Sequence, residues 1–390
     1  MKKISFYFLF ALIVVMAGAT AVEKLFGSAF AVEKIYHSWW FIALWSACAI
    51  AGLAQICNSC RKQGTICKPA PAMNLPTILV HTAFLLILAG AFTTFLTAKR
   101  GYMHLRQNEI HNYFIDEKTQ ERQPLPFDVK LLLFEVKYHE NSDKPANFHS
   151  YLLIDGKVRE ISMNNIHSEQ NYRLYQLEYD SDEMGTTLLI NYDFWGITIT
   201  YTGYLLLLIS GIWLVFKKIG WLWFAAIGAV TFAVWFYIST LNPMTPILRS
   251  PMLALHVSVI MVSYVILLII TVLSAIYLIK ARKHKSTNNK SSILQITTKL
   301  LYPAVFLLAF GIFLGAVWAN ISWGRYWGWD SKETWALITL LIYALPIHKR
   351  TFKAFSRPKF FCAYCLIAFL SVLMTFLGVS FLLNGLHSYL

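Results

Sequence analysis

The feature that most constrains this chain is its rhythm of long apolar runs separated by short basic loops. Runs near 4–21, 39–57, 77–97, 195–216, 220–240, 254–279, 300–319, 334–347 and 360–382 are strongly apolar. Most are long enough to cross a bilayer as a helix, which takes about 20 residues. Only 14% of residues are charged and 57% are hydrophobic, against about 25% charged in a soluble domain. The expectation is an all-α membrane protein, a polytopic bundle of about nine transmembrane helices.

The formal net charge of +14 belongs to the loops. Lys and Arg cluster at 2–3, 61–68, 217–218, 280–299 and 349–359, 18 of the chain's 34, with no Asp or Glu among them. All 20 acidic residues fall on the opposite side of the same map. Basic loops stay cytoplasmic, so the map places the N-terminus inside and the C-terminus and residues 99–194 outside, in a cytoplasmic (inner) membrane. The charge then reads as a topology signal and a contact with anionic lipid. It does not suggest nucleic acid, because no soluble module mixing basic and aromatic residues is visible. Lys2, Lys3, the first apolar run and Ala19-Thr20-Ala21 also fit a cleavable signal peptide. Both readings put Glu23 onward outside.

Three parts follow: 1–98 with three spans, 99–194 as one small extracytoplasmic β-rich domain, and 195–390 with six. In the middle part, Lys130–Lys137, Tyr151–Ile154 and Tyr172–Tyr179 read as strands, with turns at Asn141-Ser142-Asp143 and Asp155-Gly156. Its histidines, His104, His111, His139, His149 and His167, are scattered and read as surface residues. The Ser/Asn/Lys stretch 285–292 reads as an inner loop. Of the six cysteines, none lies in the outer part, so no structural disulfide is expected there. Cys57/Cys60 and Cys362/Cys365 are C-x-x-C pairs on the inner side. They are compatible with zinc or redox chemistry, but read first as ordinary apolar cysteines.

The run at 334–347 is short for a span. The preceding segment, residues 323–330, must therefore dip toward the membrane or line a cavity, which irregular backbone does only when shielded from lipid. Trp323, Tyr326, Trp327, Trp329 and Trp335 crowd this stretch. An interfacial aromatic belt is the plain reading. A belt does not need Gly324 and Gly328, which permit close backbone approach, nor Arg325 and Lys332, which can meet carboxylates. Aromatic faces with cations suit a large planar anion such as a porphyrin. Four histidines sit within or at the ends of spans, where ionisable groups are costly and usually functional. His81 lies about 9 Å in from the inner end of its span at about 1.5 Å per residue. His348 is also on the inner side, while His256 and His387 are on the outer side. Pairs of neutral imidazoles are common haem-iron ligands, and hydrogen-bonded structural histidine is the alternative for each. His37 reads as interfacial.

The run from Trp323 to Ile338, WGRYWGWDSKETWALI, resembles the tryptophan-rich WWD motif (323–335) of the CcsA family of system II cytochrome c biogenesis. Gly385-Leu386-His387-Ser388-Tyr389 resembles that family's closing motif, and His256 with Ser263 and Tyr264 resembles the segment before the WWD motif. The first half resembles the partner family, CcsB or ResB, through Ile35–Trp40, His81 with Gly90, Pro126-Phe127, Ile161–Asn164 and Tyr175-Gln176. The chain thus resembles a natural CcsB–CcsA fusion. Its outer domain is shorter than usual for that partner, and Ser331 stands where the family usually has proline.

The resemblance implies haem b as substrate and ligand, transported from the cytoplasmic to the outer face. There it would be presented for thioether attachment to C-x-x-C-H motifs of apocytochrome c, a cytochrome c synthase activity of the haem lyase type. Thiol-reducing extracytoplasmic proteins would be partners. His256 and His387 would be the outer axial ligands and His81 and His348 the inner ones. Trp323, Arg325, Tyr326, Trp327, Trp329, Asp330 and Trp335 would contact the haem. Two other classes stay open: a haem exporter without an attachment role, and a b-type bis-histidine electron-transfer anchor.

Overall fold

The structure is a computed structural model describing residues 4–61, 74–138, 145–241, 250–282, 287–349 and 351–383. It is a bundle of apolar helices with one antiparallel sheet inserted between the fourth and fifth. Helices α1 (Ile4–Phe26), the short α2 (Ser28–Ala31), α3 (Trp39–Arg61) and α4 (Leu75–Thr97) precede the sheet. After it come α5 (Phe194–Ile219), α6 (Trp221–Thr240), α7 (Pro251–Arg282), α8 (Thr287–Trp323), α9 (Ser331–Ala344), α10 (Pro358–Leu373) and α11 (Val379–Leu382).

Seven spans among the described residues are long and apolar enough to cross a membrane, the last being the run Pro358–Leu382. There are eight if Ser28–Tyr36 and Trp39–Ala54, which meet at a 58° bend, count as one broken span. The expected count of about nine also included α9. With 14 residues, α9 rises only about 21 Å at 1.5 Å per residue, less than the ~30 Å hydrocarbon core. The chain is a multi-pass membrane protein in which one helix of the expected set does not span alone. Residues 287–292, expected in a loop, are the first turns of α8.

Eight strands run in the order β5-β4-β3-β2-β1-β8-β7-β6. They are β1 (Lys99–Arg106), β2 (Ile110–Asp116), β3 (Arg122–Tyr138), β4 (Pro145–Ile154), β5 (Lys157–Ser162), β6 (His167–Glu169), β7 (Tyr172–Tyr179) and β8 (Gly185–Tyr192). The edge strands β5 and β6 are consecutive in the chain, and Ser150 Oγ on β4 donates to Gln176 Oε1 on β7 at 2.5 Å, linking the two halves of the sheet. The sheet therefore curls around its own apolar core.

Strand β3 shows how the pattern produces the curl. Leu125, Phe127, Val129 and Leu131 are buried at period two, then the buried set shifts to Phe134. The pairing with β4 slips between Leu131 and Leu133. A bulge reverses which parity faces inward and bends the strand. Asp155 and Gly156 have φ of 46° and 72°. Two successive left-handed residues make the two-residue hairpin turn joining β4 and β5. The expected turn at 141–143 and His139 lie outside the described residues. His149 departs from the surface reading: it is 8% exposed, with Nδ1 2.6 Å from Glu160 Oε1.

Helices α4 and α5 carry the chain into and out of the sheet and are held at close range by glycines. A Cβ on Gly90 would lie 2.2 Å from Thr200 Oγ1, and one on Gly203 2.8 Å from Ile87 Cγ1. Small residues let membrane helices approach closely. At the sheet end, Asp193 caps α5. Its carboxylate accepts from the Gly196 N–H at 3.1 Å and from Thr94 Oγ1 at 2.7 Å. Helix α6 buries none of its residues, as expected of an apolar helix facing lipid.

Candidate haem-handling site

Chain direction places the candidate residues at two ends of the bundle. Helix α4 runs toward the sheet and α9 away from it, so His81, early in α4, and His348, just beyond α9, are both at the far end. Their rings meet, with centroids 5.9 Å apart and planes at 89°. His81 Nδ1 is 2.7 Å from Thr77 O, and His348 Nδ1 is 2.9 Å from Ala344 O. Each partner is a carbonyl four residues back, so each Nδ1 must donate. The lone pair is thereby left on Nε2, the tautomer that ligates a metal. The pair joins a helix of the first half of the chain to one of the second.

His256 lies at the sheet end, early in α7. Its Nδ1 donates to Gly311 O on α8 at 2.7 Å, which again sets the lone pair on Nε2. A Cβ on Gly315 would come within 2.7 Å of the ring, so this glycine gives the imidazole its room. His387 lies outside the described residues.

The tryptophan-rich segment links α8 to α9 at the same end. Trp323 closes α8 and meets Trp318 edge-on at 4.8 Å. Gly324 turns the chain with φ of 69°. A Cβ there would also sit 3.0 Å from Tyr175 and 3.1 Å from Leu189. The close approach expected at this glycine is therefore to the sheet and not to a ligand. The Gly324 carbonyl accepts from Asn191 Nδ2 at 2.7 Å. One turn earlier, the Asn320 side-chain oxygen accepts from Arg173 Nη1 at 2.8 Å, and its carbonyl accepts from Tyr175 Oη at 3.0 Å. Ser322 Oγ donates to Asn164 at 2.8 Å. One face of β7 and β8 thus seats the start of the segment.

The other end of the segment is set by helix capping and by the N-terminal helices. Asp330 is the N-cap of α9, its Oδ1 accepting from the Lys332 N–H at 2.8 Å. Glu333 reaches back to the N–H groups of Gly328 at 2.8 Å and Asp330 at 3.3 Å. This is the reciprocal capping box. It employs Asp330, which the resemblance placed among the ligand contacts, in holding the helix. Ser331 Oγ donates to Glu23 Oε2 at 2.6 Å, and Trp335 Nε1 donates to Thr20 Oγ1 at 3.1 Å. Trp329 has φ of 55°, an uncommon conformation for a bulky residue. Tyr36 stacks on its ring at 4.5 Å and 10°, and Phe41 meets it edge-on at 5.2 Å. Sequence reasoning did not single out Glu23, Thr20, Arg173, Asn191 or Asn320. Glu23 carried a usable signal, standing two residues beyond the first apolar run as the one acid of α1.

Two aromatic groups in the segment are left unsatisfied. Tyr326 Oη and Trp327 Nε1 are buried with no hydrogen-bond partner among the described residues. Burial also holds the Tyr326 phenol well above its usual pKa, so it stays protonated. Orphaned buried donors are rare and call for an acceptor. Carboxylate or ring substituents of a bound ligand would supply one. Burial lowers the pKa of the Lys332 ammonium, an effect that Asp330 partly offsets. Among the described residues, no group of three or more His, Cys, Asp or Glu could hold a bare metal ion. A separate cavity of about 300 Å³ between α5, α6, α7 and α8 is lined by apolar side chains such as Phe306 and Phe310, and does not include this segment.

This multi-pass bundle, with a tryptophan-rich segment framed between spans that carry histidines, is similar in sequence to membrane proteins of cytochrome c assembly. Residues 195–387 match the cytochrome C assembly protein family and residues 72–199 match the ResB-like family. The chain is a CcsB–CcsA fusion of system II cytochrome c biogenesis, with α5 at the junction of the two parts. It is 40% identical over 173 residues to the cytochrome c biogenesis protein CcsA of Guillardia theta, covering 38% of this chain and 56% of that protein. The CcsA of Chlamydomonas reinhardtii is 40% identical over 155 residues, 38% of this chain and 43% of that protein. Protein NrfI of Wolinella succinogenes is 43% identical over 151 residues, 37% of this chain and 17% of that protein. The chain therefore spans less than two thirds of the length of these curated relatives.

Proposed function

We propose that the chain matures c-type cytochromes by carrying haem b across the membrane and presenting it to apocytochrome c. The observation that supports this most is the meeting of His81, from the first half, with His348, from the second, each with its Nε2 lone pair available. Two imidazoles bound to one iron at about 2 Å per bond would have ring centres roughly 6 Å apart, close to the 5.9 Å seen. The basic loops orient the bundle with nine membrane segments, the N-terminus inside and the sheet outside. His81 and His348 then face the cytoplasmic side, where haem enters.

At the outer end His256, with His387, ligates the iron. Trp323, Trp327 and Trp329 hold the ring, and Arg325 faces its carboxylates. A C-x-x-C-H segment brings two thiols against the vinyl groups. Each sulfur bonds one vinyl carbon and the thiol proton passes to the other, so the addition needs reduced thiols and no net oxidant. The protein contributes orientation and ligation. Extracytoplasmic thiol reductants keep the apocytochrome cysteines competent.

A pyridine haemochrome spectrum of the purified chain tests the haem-binding step. The expected result is haem b, extractable by acid acetone, and strongly depleted when His81 and His348 are both changed to Ala. Protein purified without haem from a haem-replete host would contradict the reading.

A further inference from the structure

Three arginines gather where the sheet meets the tryptophan-rich segment. Arg100 on β1 and Arg173 on β7 both stand in register with Asn191 of β8, whose Nδ2 donates to the carbonyl of Gly324, the residue before Arg325. Arg100 is paired with Glu117 at 3.2 Å. Among the described residues, neither Arg173 nor Arg325 has a carboxylate within 4.0 Å. Arg173 is partly buried, and its neighbours are neutral: Asn320 and the phenols of Tyr175, Tyr201 and Tyr326. Asp193 acts on it from farther away, with its own oxygens engaged by Thr94 and Gly196. Like charges brought together away from bulk water are unfavourable unless an anion joins them. A guanidinium has five donors in a planar fork that matches a carboxylate. Asn320 takes one of them, and Tyr326 Oη lies in the same cluster with no acceptor.

We propose that Arg173, a residue of the ResB-like sheet, binds a carboxylate of the haem held at the tryptophan-rich segment, with Tyr326 Oη as second donor and Arg325 serving the other carboxylate. The inference rests on the reading of this segment as the outer haem site. It makes the sheet part of that site and makes the carboxylates the handle by which the ring is oriented. Arg173 is a positioning residue: it touches neither the iron nor the vinyl groups.

The test compares haem with its dimethyl ester, which keeps the ring, iron and vinyl groups but loses both negative charges. Titrations use the purified full chain in detergent with His81→Ala, so that the spectrum reports the outer end alone. Without further change, haem should bind at least about tenfold more tightly than the diester. In Arg173→Gln, which retains a donor for Asn320, most of that preference should vanish through weaker haem binding, with diester binding unchanged. Arg173→Lys should keep part of it. If Arg173→Gln weakens both ligands by one factor, or leaves the preference intact, the proposal is wrong and Arg173 is a tether between sheet and bundle. If the chain binds neither ligand before Arg173 is changed, the outer-site reading fails, and the inference with it.

Discussion

The two ends of the bundle hold their candidate ligands by different means. At the far end, His81 and His348 are each fixed by a carbonyl four residues away in their own helix. Two helices need only to come together for the pair to form. At the sheet end, residues 323–335 have little regular structure of their own before α9. They are fixed by β7 and β8 on one side and by α1 and Tyr36 on the other. One site is made by local geometry and the other by contacts across the whole chain. The Glu23–Ser331 bond joins residues 308 apart in sequence. A site of the second kind can respond to what docks on the sheet; a site of the first kind responds mainly to its ligand.

The largest effect expected from this contrast is at the far end. His81→Ala removes one of the two proposed ligands, and haem content as isolated should fall by on the order of tenfold or more, since even indirect partners of ligands are worth 10–100-fold in metal affinity. Haem added in detergent should still refill the sheet end and restore attachment to a C-x-x-C-H peptide. Refilled protein that shows an outer bis-histidine spectrum but stays inactive would mean the two ends form one site. Next comes Tyr36→Ala. Tyr36 is 2% exposed, and truncating a buried aromatic costs about 3–5 kcal/mol. The loss should fall locally on Trp329: iodide quenching of tryptophan fluorescence should rise, with haem capture at the far end unchanged. Equal loss at both ends would erase the distinction.

Smaller effects probe the sheet contact. Gly324→Ala combines a left-handed φ with a crowded Cβ, together about 1–3 kcal/mol. Limited proteolysis should then cut the sheet domain away more readily. Asn191→Ala removes one hydrogen bond to Gly324 O, worth about 1 kcal/mol. It should shift the same proteolysis in the same direction by less. If Asn191→Ala exceeds Gly324→Ala, the strained turn is not what seats the segment.

The same contrast explains what could be read in the sequence. Apolar length revealed the spans, and the short run before His348 revealed α9 and the irregular segment ahead of it. Strand β7 is at the expected Tyr172–Tyr179 because aromatic and aliphatic residues recur through it, three Tyr and two Leu in eight positions. Strand β8 was missed because nearly all of Gly185–Tyr192 is buried, so it does not alternate. Strand β1 opens with Lys99-Arg100-Gly101, which reads as a loop until β8 is there to pair with it. The histidines could be assigned to ends by counting along spans, and the structure brings His81 and His348 together. What counting could not supply is which residues support Trp329 or Gly324. Tyr36, Glu23, Tyr175 and Asn191 lie in other elements, and only the folded chain puts them beside the motif. Asp330 shows the converse: the resemblance put it among the ligand contacts, and the folded chain shows its carboxylate also serving as the cap of α9.

Haem presentation for attachment, as opposed to haem transport alone, is tested most directly by product formation. The full chain is co-produced with a C-x-x-C-H apocytochrome in a host lacking its own cytochrome c assembly system. The product is denatured, separated by electrophoresis and stained for haem peroxidase activity. The account predicts a haem-positive cytochrome band with the unaltered chain and none with His256→Ala or Trp327→Ala, both variants still being found in the membrane. A chain that is purified with haem bound yet gives no covalent band would contradict it, and would leave haem export as its role.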